Sequence, residues 1–276
     1  MSLLAFIGGT GFDLRGPDSP FSAPRHEQIT TRWGVANVTH ATLEGRAVVF
    51  LHRHGATDSP LRKDVPPHKI NYRANIAALK SLGVTGILAS TAVGCFRAQW
   101  PIGTLVCLDN LLDFTSNRAQ TFFDSRAVHI DVTQPFCQHL RAIVLQTAAE
   151  NGVEIEGSGT YLCTNGPRFE TAAEIRMFAA WGADVVGMTA CPEAFLAREA
   201  EISYCGVSIV TNLAAGISPH ALTHEEVTTA MNAALPRLAE LFLEAARRYE
   251  DDPQTPARRA VREYERDGFE PLSLVC

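Results

Sequence analysis

Short apolar runs that end on glycine alternate along this chain with stretches whose apolar residues recur at helical spacing. Leu3 to Ile7 is a continuous apolar run stopped by Gly8-Gly9, which reads as a buried strand feeding a glycine turn. Val35 to His40 and Ala47 to Leu51 flank Leu43-Glu44-Gly45-Arg46, a hairpin connection. Asp58 to Pro67 is polar and proline-rich and reads as a loop. Ile70, Ala74, Ala77, Ala78 and Leu82 share one helical face that ends at Gly83. Val84 to Ser90 is a further strand, running into a Thr91-Ala92-Val93-Gly94 turn, and Thr104 to Asp109 follows as another.

The second half repeats the alternation. Pro135 to Gly152 fits a helix, and Gly159 to Cys163 a strand. Thr171 and Glu174 have capping-box spacing, so a helix is expected from there to about Trp181. Asp184 to Met188 reads as a strand, Pro192 suits the first turn of a helix reaching Glu201, and Tyr204 to Asn212 is a long apolar strand. Thr223 and Glu226 form a second capping box, opening a helix toward Arg248 that Pro236 is expected to kink. Strands alternating with helices predict an α/β layer fold around a central sheet. No linker-like break interrupts residues 1–250, so a single domain is expected there, followed by a charged tail over 251–276 that packs on the surface or on a neighbour.

Composition narrows the class. The 276 residues are 46% hydrophobic and 20% charged, enough apolar material for a core that needs no staples. The formal charge of -6 gives no basic excess that would point to nucleic acid. The seven cysteines are odd in number and lack CxxC spacing, so they read as buried thiols in a reducing cytoplasm. The apolar start is short, has no basic flank and meets Asp13, unlike a signal peptide. No uncharged run approaches the ~20 residues of a membrane span, so no membrane partner is expected.

Candidate chemistry clusters at strand ends, where ligands gather in open α/β sheets. Gly8-Gly9-Thr10-Gly11-Phe12 can bring backbone N–H groups and a hydroxyl to an anion; read as a dinucleotide fingerprint it fails on spacing, and alone it is equally a tight turn. In His52-Arg53-His54-Gly55, Arg53 supplies a donor fork suited to phosphate and His54 a donor beside it; a surface ion pair is the plainer alternative. Thr91 and Ala92 offer a hydroxyl and a backbone N–H, in a common kind of turn. In Asn165-Gly166-Pro167-Arg168-Phe169-Glu170 a ring and a carboxylate precede a helix; Phe169 can stack on a flat heterocycle and Glu170 accept its N–H, unless Glu170 merely favours the helix N-terminus. Met188, Thr189 and Asn212 close two further strands, with core packing as the alternative. Jointly, three hydroxyls and an arginine enclose a small oxyanion, and an aromatic, a carboxylate and an amide enclose a flat base. That combination suggests a nucleoside beside free phosphate.

The chain resembles the trimeric nucleoside phosphorylases, in the branch of methylthioadenosine phosphorylases and their 6-oxopurine relatives. The resemblance runs from Ile7 to about Ala245 and rests on IGGTGF, RHG, HKINYRANIAAL, HIDVTQPFC, GPRFETAAEI, GADVVGMTACPEAFLAREAEI and VTNLAAG. It implies the nucleoside-phosphorylase fold, with a central mixed β-sheet flanked by helices. It also implies a cytoplasmic homotrimer serving purine salvage, and phosphorolysis without metal or organic cofactor, inorganic phosphate being a co-substrate. By the same resemblance phosphate is held by Thr10, Arg53, His54, Thr91, Ala92 and Thr189. Met188 lies against the ribose, Phe169, Glu170 and Asn212 hold the base, and His129 reaches the sugar pocket of a neighbouring subunit. Asn212, Glu170 and His54 are the expected catalytic groups.

Two positions bear on the base. Methylthioadenosine phosphorylases carry GPRFS and TDxD where this chain has GPRFE and TNLA, and Glu170 with Asn212 is similar to the inosine and guanosine pattern. A 6-oxopurine presents N1–H to a carboxylate, whereas adenine presents a bare acceptor. An Asn amide can donate to the N7/O6 charge of a departing oxopurine without giving up a proton. His224 resembles the His that meets a 5′ hydroxyl in inosine-type members, although the N-terminal half looks more like the methylthio branch. The expectation is therefore cleavage of inosine- or guanosine-type nucleosides, with 5′-methylthio nucleosides as the alternative. The segment after RHG reads ATDSPLRKDV, without the histidine its relatives carry there. An NAD oxidoreductase would explain the glycine turn but lacks a YxxxK-type pair, and a non-catalytic nucleoside binder would not need the phosphate ligands.

Overall fold

A computed structural model describes residues 2–8, 21–55, 65–217 and 224–276, with the backbone alone at 224, 226, 266 and 267. The GGTGF turn beyond Gly8 (with Thr10), most of the ATDSPLRKDV segment, and both the Thr223–Glu226 capping box and the His224 side chain lie outside the described residues.

Among the described residues ten strands form one mixed sheet. Its first half holds β1 (Leu3–Gly8), β2 (Phe21–Thr31), β3 (Gly34–Leu43), β4 (Arg46–His52) and β5 (Val84–Cys95). Its second half holds β6 (Leu105–Cys107), β7 (Asn110–Phe114), β8 (Thr160–Thr164), β9 (Val185–Gly187) and β10 (Ser203–Leu213). The order is β2-β3-β4-β1-β5-β9-β8-β7, with β10 on the other side of β5 and β6 beyond it. Among the described residues five helices flank the sheet: α1 (Tyr72–Ser81), α2 (Gln138–Glu150), α3 (Ala172–Ala180), α4 (Ala190–Glu199) and α5 (His224–Arg248), with Pro236 inside α5.

The central strands are covered on both faces, which is why they read as unbroken apolar runs. Period two still sorts them. Ala5 and Ile7 face the side packed by α1 and α4, with Ile76, Leu79 and Leu196. Leu4 and Phe6 face the side packed by α2 and α5, with Val144, Leu238 and Phe242. The hairpin between β3 and β4 turns on Glu44 (φ 48°) and Gly45 (φ 85°), the left-handed pair that a two-residue hairpin requires.

Several elements differ from the sequence expectation. The Thr91-Ala92-Val93-Gly94 segment is no turn, because β5 continues through it to Cys95. The α4 segment has a non-helical residue, Cys191 (φ -110°, ψ 136°), so its continuous helical backbone starts at Pro192. The edge strands β2 and β7 have no apolar alternation to announce them. The sequence FSAPRHEQITT is mostly exposed; it pairs with β3, and Phe21 and Ile29 pack against the core. The Thr171–Glu174 capping box forms in full. Beyond α5 the chain folds into short 3₁₀ turns whose apolar residues enter the body: Val261 and Val275 are fully buried. Trp33 Nε1 donates to the Val275 carbonyl at 3.0 Å, and Arg258 pairs with Asp251 at 2.8 Å. Of the seven cysteines only Cys276 is exposed.

Candidate active site

The sheet topology opens a gap. β1 pairs with β5 only as far as Ala89, and β9 takes up the same edge of β5 only at Gly94. Between them Ser90 to Val93 has no strand on that side among the described residues, and a cavity of about 320 Å³ lies there. That is at the lower end of the range of about 300–1,000 Å³ for small-molecule sites. By strand alternation the Ala92 N–H points the same way as the Ser90 carbonyl, toward the gap.

On the other side of β5, β10 carries an extra residue at Thr211, where the register slips between Val210 and Asn212. Such a bulge re-aims the side chain that follows it. Asn212 is thereby turned to the cavity, 8% exposed. Its Oδ1 accepts from the Thr211 hydroxyl at 2.9 Å and its Nδ2 donates to the Leu213 carbonyl at 2.9 Å, so the amide orientation is set and one N–H is left over.

The turn after β8 supplies Glu170 and Phe169. Gly166 has φ 60°, and a side chain there would run into the Met188 thioether, so glycine is required on two counts. The N-terminus of α3 is capped by Thr171 and Glu174, which frees Glu170 to point inward. Glu170 is 9% exposed, and its Oε1 accepts from the Thr164 hydroxyl at 2.6 Å. Phe169 is 41% exposed at the rim of the cavity. Arg118 links the two strand ends that meet here, donating to the carbonyls of Asn165 at 3.0 Å and Met188 at 2.9 Å.

Arg53, His54, Thr91, Ala92, Thr189, Met188, Phe169, Glu170 and Asn212 thus all line one cavity. His129 does not. It is exposed on an irregular segment, its backbone N–H donating to the Tyr264 hydroxyl at 2.7 Å.

Two expected donors are corrected by their partners. Arg53 does not offer its whole fork to an anion, nor does it form a surface ion pair. Its Nε and Nη2 each donate to Glu193 at 2.8 Å and its Nη1 to the Ser90 carbonyl at 2.8 Å, which leaves one N–H on each terminal nitrogen. Both side chains of this pair are essentially without solvent contact. Burial opposes the charge on Arg53, but the attraction and hydrogen bonds of Glu193 outweigh it and hold the guanidinium above its ordinary pKa. Tyr204 donates its hydroxyl to Glu193 at 2.7 Å, and burial followed by the Glu193 charge pushes that phenol well up.

His54 carries its hydrogen on Nδ1, which meets the Val65 carbonyl at 2.8 Å, so Nε2 is an acceptor unless the ring is protonated. The Thr91 hydroxyl shares a 2.8 Å bond with Ser208. The Thr189 hydroxyl, in contrast, makes no cap bond to α4.

Glu193 was legible in principle. A carboxylate inside the apolar run ACPEAFLA is buried at a cost that demands a cation. Val227, Thr228 and Met231 of α5 also line the cavity and carry no such signal. Among the described residues no cluster of three or more His, Cys, Asp or Glu could hold a metal, and no helix is long and apolar enough to cross a membrane.

A model of the phosphorylase superfamily matches residues 4–247 of the chain. The chain belongs to the phosphorylase superfamily. It is 44% identical over 270 residues to a probable 6-oxopurine nucleoside phosphorylase of Dictyoglomus turgidum, covering 96% of this chain and 99% of that protein. It is 39% identical over 280 residues to a probable S-methyl-5′-thioinosine phosphorylase of Methanothermobacter thermautotrophicus, covering 99% and 96%. Among solved structures, a methylthioadenosine phosphorylase of Schistosoma mansoni in complex with adenine superposes with TM-score 0.82 at 31% identity, over 90% of this phosphorylase and 91% of that chain.

Proposed function

We propose that the protein is a purine nucleoside phosphorylase that cleaves 6-oxopurine nucleosides of the inosine and guanosine type with phosphate, giving free base and ribose 1-phosphate. The observation that carries this reading is the pairing of Glu170 and Asn212 in the cavity that also holds Arg53, Thr91 and Thr189. A carboxylate accepts N1–H, and an amide with one uncommitted N–H donates to N7 or O6. The name of the Dictyoglomus relative supports the same base class.

In this reading phosphate takes the two remaining Arg53 N–H groups, the Ala92 N–H and the Thr189 hydroxyl, with Thr10, Thr91 and His54 beside them. It attacks C1′ of the ribose as the bond to the purine breaks. Met188 lies against the sugar and Phe169 against the base. Positive charge builds on the sugar ring and negative charge on the purine, so catalysis is mainly positioning and charge stabilisation. We further propose a homotrimer in which His129 completes a neighbour's sugar pocket, with His224 toward the 5′ substituent.

A second reading has its own support: Val227 and Met231 add apolar surface to the cavity, and the Methanothermobacter relative is named for a 5′-methylthio substrate. Free-purine release from inosine, guanosine, methylthioinosine, adenosine and methylthioadenosine, with and without inorganic phosphate, tests both. Phosphate-dependent release from the oxopurines is expected. Preference for the two adenine compounds, or release without phosphate, overturns the main reading.

A further inference from the structure

Thr164 does not line the cavity, yet its hydroxyl lies 2.6 Å from Glu170 Oε1. It is the last residue of β8, and the ladder to β9 holds the preceding residue, Cys163, opposite Gly187. The Thr164 carbonyl accepts from Arg118 Nη2 at 3.4 Å and the Asn165 carbonyl accepts from the same nitrogen at 3.0 Å. The Asn165 side chain is itself tied to Ser116, its Nδ2 donating to Oγ at 2.8 Å and its Oδ1 accepting from the backbone N–H at 3.0 Å. The hydroxyl is therefore a donor on a fixed backbone.

We propose that Thr164 is a positioning residue that sets base specificity, by holding Glu170 as an oriented acceptor. This rests on the reading that Glu170 meets the purine. A hydroxyl has one hydrogen, and here it is spent on Oε1. Among the described residues Oε2 has no hydrogen-bond partner, so it is the oxygen left for the ring. Held in this way, Oε2 accepts N1–H of an oxopurine. Adenine has no hydrogen on N1 and gains nothing from an acceptor placed there. Thr164 thus biases the pocket toward rings that carry a hydrogen on N1, without touching them.

The test uses Thr164→Val, Thr164→Ser and Glu170→Gln in the full chain. Thr164→Val is expected to lower kcat/KM for inosine about tenfold or more, the usual loss for a hydrogen bond to a charged group. The KM for phosphate should stay within about twofold, because the phosphate donors are unchanged. The inosine-to-adenosine ratio should narrow. Thr164→Ser should restore both kcat/KM and the ratio. Thr164→Ala removes the same hydroxyl without adding a methyl group, and replaces the valine variant if that does not fold. If Glu170→Gln abolishes inosine cleavage while Thr164→Val or Thr164→Ala leaves kcat/KM for inosine and the ratio as in the wild type, the inference is overturned. If Glu170→Gln leaves inosine cleavage intact, the base reading itself falls, and the inference with it.

Discussion

Arg53 shows how much a single side chain depends on its partner. A buried guanidinium is costly without a counter-charge, and Glu193 supplies one with two hydrogen bonds, oriented in turn by Tyr204. Removing one member of such a pair leaves the other charged and dry. Glu193→Ala is therefore expected to lose about 3–5 kcal/mol of stability by denaturant unfolding, whereas an exposed pair such as Arg25–Glu27 should cost about 1 kcal/mol or less. Equal losses at the two places would refute the buried-pair account. Asn212 makes the complementary case for the base. Asn212→Asp exchanges an amide donor for a group that can give N7 a proton. Relative to wild type it should raise the adenosine-to-inosine ratio of kcat/KM; an unchanged ratio would remove Asn212 from base recognition.

The legibility of the elements followed their burial. β1, β5 and β10 are buried on both faces, and their apolar runs announce them. β2 and β7 lie at the sheet edges, where backbone pairing does the work and side chains carry little pattern. The continuation of β5 through Thr91-Ala92-Val93-Gly94 was hidden for a related reason. Those residues are small, open on a threonine and end on a glycine, and they border a cavity, so this stretch of strand imitates a turn. The α3 capping box, a local device, was fully legible in Thr171 and Glu174. Glu174 is held down to about 2 from 4.5, by Arg168 first and then by the Thr171 backbone N–H. Its folded pKa is depressed, so its contribution is present above about 4.5 and fades as pH falls toward 2. The stability difference between wild type and Glu174→Gln should follow that course in acid titration, and a difference that persists at pH 2 would contradict it. At the turn before α3, Gly166→Ala is expected to lower the thermal midpoint, because it meets both a left-handed backbone and Met188.

For the whole molecule, the sheet's branch at β5 is what makes a site. The gap between the end of β1 and the start of β9 exposes backbone groups of one strand. The bulge at Thr211 and the glycine turn at Gly166 bring Asn212 and Glu170 to the same space. The site residues were largely visible in the sequence, since glycine turns and polar residues at strand ends stand out against apolar runs. Glu193 carries a signal in the sequence, a carboxylate amid an apolar run, whereas Thr164 acts through Glu170 and only the fold discloses it. The tail over 251–276 reads as charged, yet Val261 and Val275 pack in the core. Truncation before Ala257 is therefore expected to lower the thermal midpoint markedly. A truncated chain as stable as the full one would show that the tail is only appended.

The most direct measurement is a crystal structure of the full chain with hypoxanthine and inorganic phosphate. The account predicts Glu170 within about 2.6–3.2 Å of ring N1, Asn212 at the same distance from N7 or O6, and the oxyanion against Arg53 and Ala92. A purine bound elsewhere, or a Glu170 carboxylate turned away from the ring, would contradict it.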